Sequence, residues 1–146
     1  MFDIFNKIAY DDKMIYAVAP PELVIRKILK TSRWINVVDN NITKSKHESE
    51  AEFNALLELL EPILKHPDSA ELLNQIYIIT MYKSFSLYIQ KNIKDKILAL
   101  SKNQKIPEKL QDFCSKNIGT IHAFQGKEAD TVIYATWGST SSRYRH

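Results

Sequence analysis

Residues 119–136 read GTIHAFQGKEADTVIYAT, and two of the chain's three glycines fall in this one stretch. Gly119 and Gly126 bracket a polar segment, residues 120–130, and an apolar β-branched run follows at once. That run, residues 131–137 with Val132, Ile133, Tyr134 and Ala135, has the composition of a core strand. Residues 118–121 read as a shorter strand just before the polar segment. Glycine at position 126 permits a positive φ or a close backbone approach. Lys127 and Glu128 place opposite charges side by side at that turn. In open parallel sheets, sites collect in the loops just past the C-terminal ends of strands, and residues 122–130 have that placement.

Working outward, a second apolar run with a polar follow-on appears at residues 76–79 (IYII), followed by Thr80, Met81, Tyr82 and Lys83. It reads as a buried strand. Residues 49–65 form the clearest helix, with Ala51, Leu56, Leu57, Leu60 and Leu64 at helical period and Ser49 with Glu52 as a capping box. Pro62 is expected to kink it or end it early. A second long helix is expected from a Ser84 cap to about Ser101, with Phe85, Ile89, Ile93, Ile97 and Leu100 on one face. Lys91, Lys94, Lys96 and Lys102 lie off that stripe. Residues 22–30 have helical spacing after the Pro20, Pro21 break, with Leu23, Ile28 and Leu29 on the apolar side. Residues 34–38 (WINVV) read as a strand ending in the turn-prone Asp39, Asn40 and Asn41. Residues 2–10 suggest a short helix or turn, 43–47 a polar loop, and a short helix follows Pro107. Strands alternating with helices predict an α/β fold: a mainly parallel sheet with helices on both faces.

Composition fits one domain, residues 1–137, with a Ser-rich tail at 138–146. The 146 residues are 45% hydrophobic and 25% charged, with a net charge of +3, which is ordinary globular chemistry. The apolar runs are far shorter than the roughly 20 residues of a membrane span, so no membrane partner is expected. No basic, then apolar, leader opens the chain. The single Cys114 excludes an internal disulfide and a cysteine-based zinc site, and the expected compartment is the cytoplasm. Charge is unevenly spread. Residues 48–71 carry Glu48, Glu50, Glu52, Glu58, Glu61, Asp68 and Glu71 against Lys65 alone, whereas lysines dominate residues 81–128. A basic C-terminal half suits a polyanion, although a solvated lysine-rich helix face has the same composition.

The residues now on the page carry a resemblance. GTIHAFQGKEADTVI resembles motif V and its extension in superfamily 1 helicases, in the branch with an AAA-type C-terminal domain. IYIITMYKSF, residues 76–85, resembles motif IV. ESEAEFNALLELL, residues 48–60, is similar to the Glu-Ala helix that precedes it, and FNKIAYDDKM, residues 5–14, to the element that opens the second motor domain. The order is right, and together these cover most of residues 2–136. The resemblance implies a RecA-like domain of P-loop NTPase type, the second of two that clamp ATP and single-stranded DNA or RNA between them. On that basis Thr80, Thr120 and His122 would face the nucleic-acid backbone, where hydroxyls and N–H groups meet phosphates. Tyr82, Lys83, Gln125, Gly126, Lys127 and Glu128 would face the nucleotide, with Glu128 accepting from a ribose hydroxyl and Gln125 linking the two ligands. Taken singly, His122 reads as a surface histidine, Tyr82 as a packing aromatic, and Lys127 with Glu128 as an exposed pair.

The pattern also has departures. Met81 stands where the family has Pro, and Phe85 where it has Gln. No Gly-x-x-x-x-Gly-Lys-Ser/Thr occurs in the sequence, so the loop that cradles phosphates is missing. Arg143 and Arg145 lie in GSTSSRYRH, which has no apolar helical period, and neither reads as the arginine finger of the final motif. The expectation is half of a motor: ATP and Mg²⁺ held mainly by a first RecA-like domain, negligible hydrolysis by this chain alone, and self-association through sheet surface left uncovered. The competing expectation is a non-catalytic nucleic-acid-binding or protein-interaction module that keeps the fold without the motor. A hydrolase or nuclease of another kind would need a carboxylate cluster or a nucleophile–base pair. His47 with Glu48 and Glu50 reads as a capping loop instead, and Cys114 with His122 lacks a third partner.

Overall fold

The computed structural model describes residues 7–8, 11, 13, 23–39, 48–100 and 106–136. The expected elements at 2–10 (apart from helical Lys7 and Ile8), the Pro20, Pro21 break, the 43–47 loop and the tail lie outside the described residues. Element order is α1 (Val24–Leu29), α2 (Glu50–Leu64), α3 (Ser69–Asn74), β1 (Ile76–Thr80), α4 (Lys83–Leu100), α5 (Ile106–Lys116), β2 (Ile118–Thr120), α6 (Ile121–Phe124) and β3 (Thr131–Ala135). Among the described residues the sheet has three strands in the order β2-β1-β3, all parallel. The α/β fold with a parallel sheet is therefore the one the alternating pattern predicts.

Helix α2 begins where the sequence says it should. Ser49 Oγ accepts the Glu52 backbone N–H at 3.1 Å, and its hydroxyl donates to Asp39 Oδ2 at 2.7 Å. Phe53, Leu56, Leu60, Ile63 and Leu64 form its buried stripe. Pro62 does not end the helix early. It sits in the last turn, its missing N–H removes a single i→i−4 bond, and the helix runs on to Leu64. Helix α4 starts one residue before the expected Ser84 cap. Ser86 N–H bonds the Tyr82 carbonyl at 3.1 Å, so Tyr82 occupies the cap position and Ser84 lies within the first turn. Its stripe of Phe85, Ile89, Ile93 and Ile97 is completely buried. Lys91, Lys94 and Lys96 are exposed.

The strands have two faces. On one, Ile76, Ile78 and Thr80 of β1 align with Ile118 and Thr120 of β2 and with Thr131, Ile133 and Ala135 of β3. Helices α2, α3, α4 and α5 supply the remaining core on that side. Gln90 Nε2 donates to the Ile118 carbonyl at 2.7 Å and ties α4 to β2. Asn117 Nδ2 donates to the carbonyls of Asn74 and Ile76 at 3.2 and 2.9 Å, which fixes the entry to β2 against the entry to β1. The other face carries Tyr77, Ile79, Gly119, Val132 and Tyr134, and the described element across it is the short helix α6. Among the described residues, no helix is long and apolar enough to cross a membrane.

Two local expectations fail for physical reasons. Residues 34–38 are not a strand: they run without ladder bonds, and Trp34 is 78% exposed. β propensity fixes only a preference for a pleated, half-buried surface, and among the described residues no strand is hydrogen-bonded to this run. Ile121 ends no strand either; it opens α6. Helix α3 was not foreseen, because six residues give too short a period to read.

Candidate functional site

Both glycines of the 119–136 stretch have a structural reason. A Cβ on Gly119 would lie 3.1 Å from the Phe124 ring and 3.2 Å from Ala123 Cβ, so any larger residue there would require α6 to give by a few tenths of an ångström. Gly126 has φ +76° with open space around it. Its need is conformational, and the turn is closed by Lys127 N–H to the Phe124 carbonyl at 3.0 Å. Phe124 is the anchor: its ring packs on Tyr77 with centroids 4.5 Å apart, and Lys127 Nζ lies 5.4 Å from the centre of the Phe124 ring.

This packing decides where the candidate residues go. Thr80 and Thr120 are register partners at the C-terminal ends of β1 and β2, so the structure brings these two together. They are not equivalent. Thr80 is fully buried, and its hydroxyl donates to the Tyr82 carbonyl at 3.0 Å, shaping the turn into α4. Thr120 is half-buried and makes no cap bond to α6 with its side chain. His122 is exposed on α6, and Tyr82 and Lys83 lie just past Thr80, half-buried and exposed respectively.

Gln125, Gly126, Lys127 and Glu128 are all exposed but lie elsewhere. The chain descends from Thr120 to Phe124, which rests on Tyr77 near the start of β1, and reaches Thr131, whose N–H bonds the Gln75 carbonyl at 3.1 Å. Residues 125–128 therefore run along the N-terminal half of the sheet. Tyr82 and Lys83 lie past its C-terminal end, roughly a strand length away, about 16 Å for five residues. A crossing segment that begins at one end of the sheet and finishes at the other has no visible signature in sequence. The expectation of one loop gathered at the strand C-termini holds only for its first residues.

Phe85, standing where the family has Gln, is completely buried in the α4 stripe and presents nothing to a ligand. Among the described residues, no group of three His, Cys, Asp or Glu side chains is placed to hold a metal ion. Burial pushes the Cys114 thiol above its ordinary value, with Lys94 acting more weakly in the other direction. Burial, then Glu50 and Glu48, raise the Tyr88 phenol. Neither group lies in the candidate segment.

A slot of about 890 Å³ lies at the edge of β3, with residues 29–37 as one wall, 130–136 as the other, and Ala55, Leu56 and Leu59 of α2 among its lining. Of the candidate segment it touches only Asp130. Sequence reading did not anticipate it, although the cluster of Arg26, Lys30 and Arg33 at its rim was visible.

A family model described as an AAA domain matches residues 5–143. No curated protein and no solved structure matches the chain.

Proposed function

Because the chain belongs to the AAA domain family, a helicase-like group of P-loop NTPase domains, we propose that it works as the second motor domain of a superfamily 1 helicase. In this reading it is incomplete alone. A first RecA-like domain supplies the phosphate-cradling loop, and single-stranded DNA or RNA and ATP are held between the two. The observation that carries the reading is the build of residues 119–128. A strand ends on Thr120, a short helix is pressed onto the sheet over Gly119, and a turn at Gly126 leaves Gln125, Lys127 and Glu128 exposed. That is a rigid mount for solvent-facing polar groups, as positioning chemistry requires.

The roles follow from side-chain chemistry. Thr120 and His122 donate hydrogen bonds to phosphate oxygens, holding a strand without reading its sequence. Glu128 accepts from a ribose hydroxyl, Lys127 offers a cation to phosphate, and Gln125 stands between the two ligands. Tyr82 and Lys83 approach the nucleotide from the other end of β1. Magnesium falls to the first domain in this proposal, since no carboxylate cluster among the described residues fits it. When bound there it would neutralise phosphate charge. This chain's part is to orient nucleotide and strand.

The test combines the purified chain with a separately purified first motor domain and measures oligonucleotide-stimulated ATP hydrolysis and single-strand binding at two salt concentrations. The expected result is hydrolysis only in the mixture, with Glu128→Gln and Thr120→Val each lowering it. Hydrolysis and binding that stay unchanged on mixing would defeat the motor reading. A second reading, a non-catalytic binding module, is favoured by the burial of Phe85 and Thr80 in the motif IV turn. It expects Glu128→Ala to change no nucleotide-dependent property, while changes at Lys91, Lys94 and Lys96 weaken partner binding.

A further inference from the structure

Two buried hydroxyls grip the backbone on either side of Lys83. We infer that Thr80 and Ser86 are positioning residues, which aim the Lys83 side chain at the nucleotide without touching it themselves. The inference rests on the motor reading above, and it gives Thr80 a different part from the strand contact that the resemblance implies.

Strand β1 delivers Thr80 into the core, and the chain must then turn at once into α4. Thr80 is completely buried, while its neighbour Met81 is exposed at the bend. A threonine hydroxyl has a single proton to donate. Thr80 gives that proton to the Tyr82 carbonyl at 3.0 Å, so none is left for a phosphate oxygen. The same carbonyl accepts the Ser86 N–H at 3.1 Å. Both lone pairs of that oxygen are engaged, and the peptide plane between Tyr82 and Lys83 is held from two directions. Ser86, itself buried, sends its hydroxyl to the Lys83 carbonyl at 2.9 Å. That bond holds the next plane, between Lys83 and Ser84.

Side-chain direction follows from these two planes. With the planar peptide groups on both sides held, φ and ψ of Lys83 have little freedom, and its Cα–Cβ bond points one way. Tyr82 packs against the core and steadies the same turn. An ordinary helix cap accepts from the N–H groups of the first turn. Thr80 and Ser86 instead donate to carbonyls, so capping does not account for them. Lys83 is exposed, and among the described residues no ion pair takes up its ammonium. A free cation on a fixed mount suits the positioning of a phosphate, where a misplacement of about 1 Å costs rate steeply.

The test is a double-substitution cycle in the mixture of this chain with the first motor domain, read as kcat/KM for ATP. Thr80→Val keeps the side-chain shape and removes the hydroxyl. Ser86→Ala removes the other hydroxyl with a good helix former, which guards against a valine variant that fails to fold. Each should lower kcat/KM by about 3- to 10-fold, and Thr80→Ser should restore it. In a Lys83→Ala background neither change should cost anything further, because the group they aim is gone. Equal losses with and without Lys83, from variants with unaltered circular-dichroism spectra, would mean a structural role alone and overturn the inference. Unchanged kcat/KM in both single variants would overturn it too. A wild-type mixture that hydrolyses no ATP is a distinct outcome, which defeats the motor reading and the aiming of Lys83 with it.

Discussion

At the residue scale, the two glycines of the 119–136 stretch do different jobs, and substitution separates them. Gly126→Ala meets no atom but must hold φ +76°, at a cost of about 1–2 kcal/mol. Gly119→Ala keeps its backbone and drives a methyl into Phe124 and Ala123, an overpacking cost of about 1–3 kcal/mol. Urea unfolding should show both losses. Only Gly119→Ala should also disturb the Phe124–Tyr77 contact in near-ultraviolet circular dichroism. Cys114 gives a pH prediction whose sign is fixed by burial. Its folded thiol holds the proton above the ordinary value, so its contribution to stability is fully present below the unfolded pKa, about 8.5. That contribution is lost as pH rises from there through the folded pKa. Cys114→Ala should flatten the fall of the urea midpoint above that pH, and native Cys114 should react slowly with iodoacetamide below it.

At the element scale, α4 carries the core and exposes its lysines, and the i, i+4 repeat of Phe85, Ile89, Ile93 and Ile97 made it legible in sequence. Ile93→Ala should cost about 2–5 kcal/mol. Leu87→Ala, on the exposed side of the same helix, should stay within about 0.5 kcal/mol. Equal losses at both positions in thermal unfolding would mean the buried stripe has been misassigned. The elements that escaped reading are those without a period: α3 with six residues and α6 with four. Residues 34–38 are the opposite case. The strand chemistry is plain in WINVV, but pairing belongs to the partner edge as much as to the segment.

At the scale of the whole molecule, charge is segregated: α2 carries Glu50, Glu52, Glu58 and Glu61, and the α4 helix packed against it exposes Lys91, Lys94 and Lys96. If single strands use that basic side as well as Thr120 and His122, binding should weaken steeply with salt. Each lysine that contacts a phosphate contributes about 0.7 to the log–log slope. Replacing Lys91, Lys94 and Lys96 together by Ala should lower the slope by about 2, read by fluorescence anisotropy of a labelled oligonucleotide. An unchanged slope would place the strand elsewhere on the molecule.

The sequence by itself determined the α/β class, the parallel strands, the two long helices and the membership signalled by residues 119–136. Those depend on local periodicity and on glycine positions that carry their own backbone demands. Only the tertiary structure decided that Thr80 is buried while Thr120 is partly open, because burial depends on which strand lies in the middle of the sheet. It also set residues 125–128 along the lower half of β1, through the packing of Phe124 on Tyr77. The slot at β3, lined by segments about a hundred residues apart in the chain, exists only once those segments meet. No local pattern could have announced it.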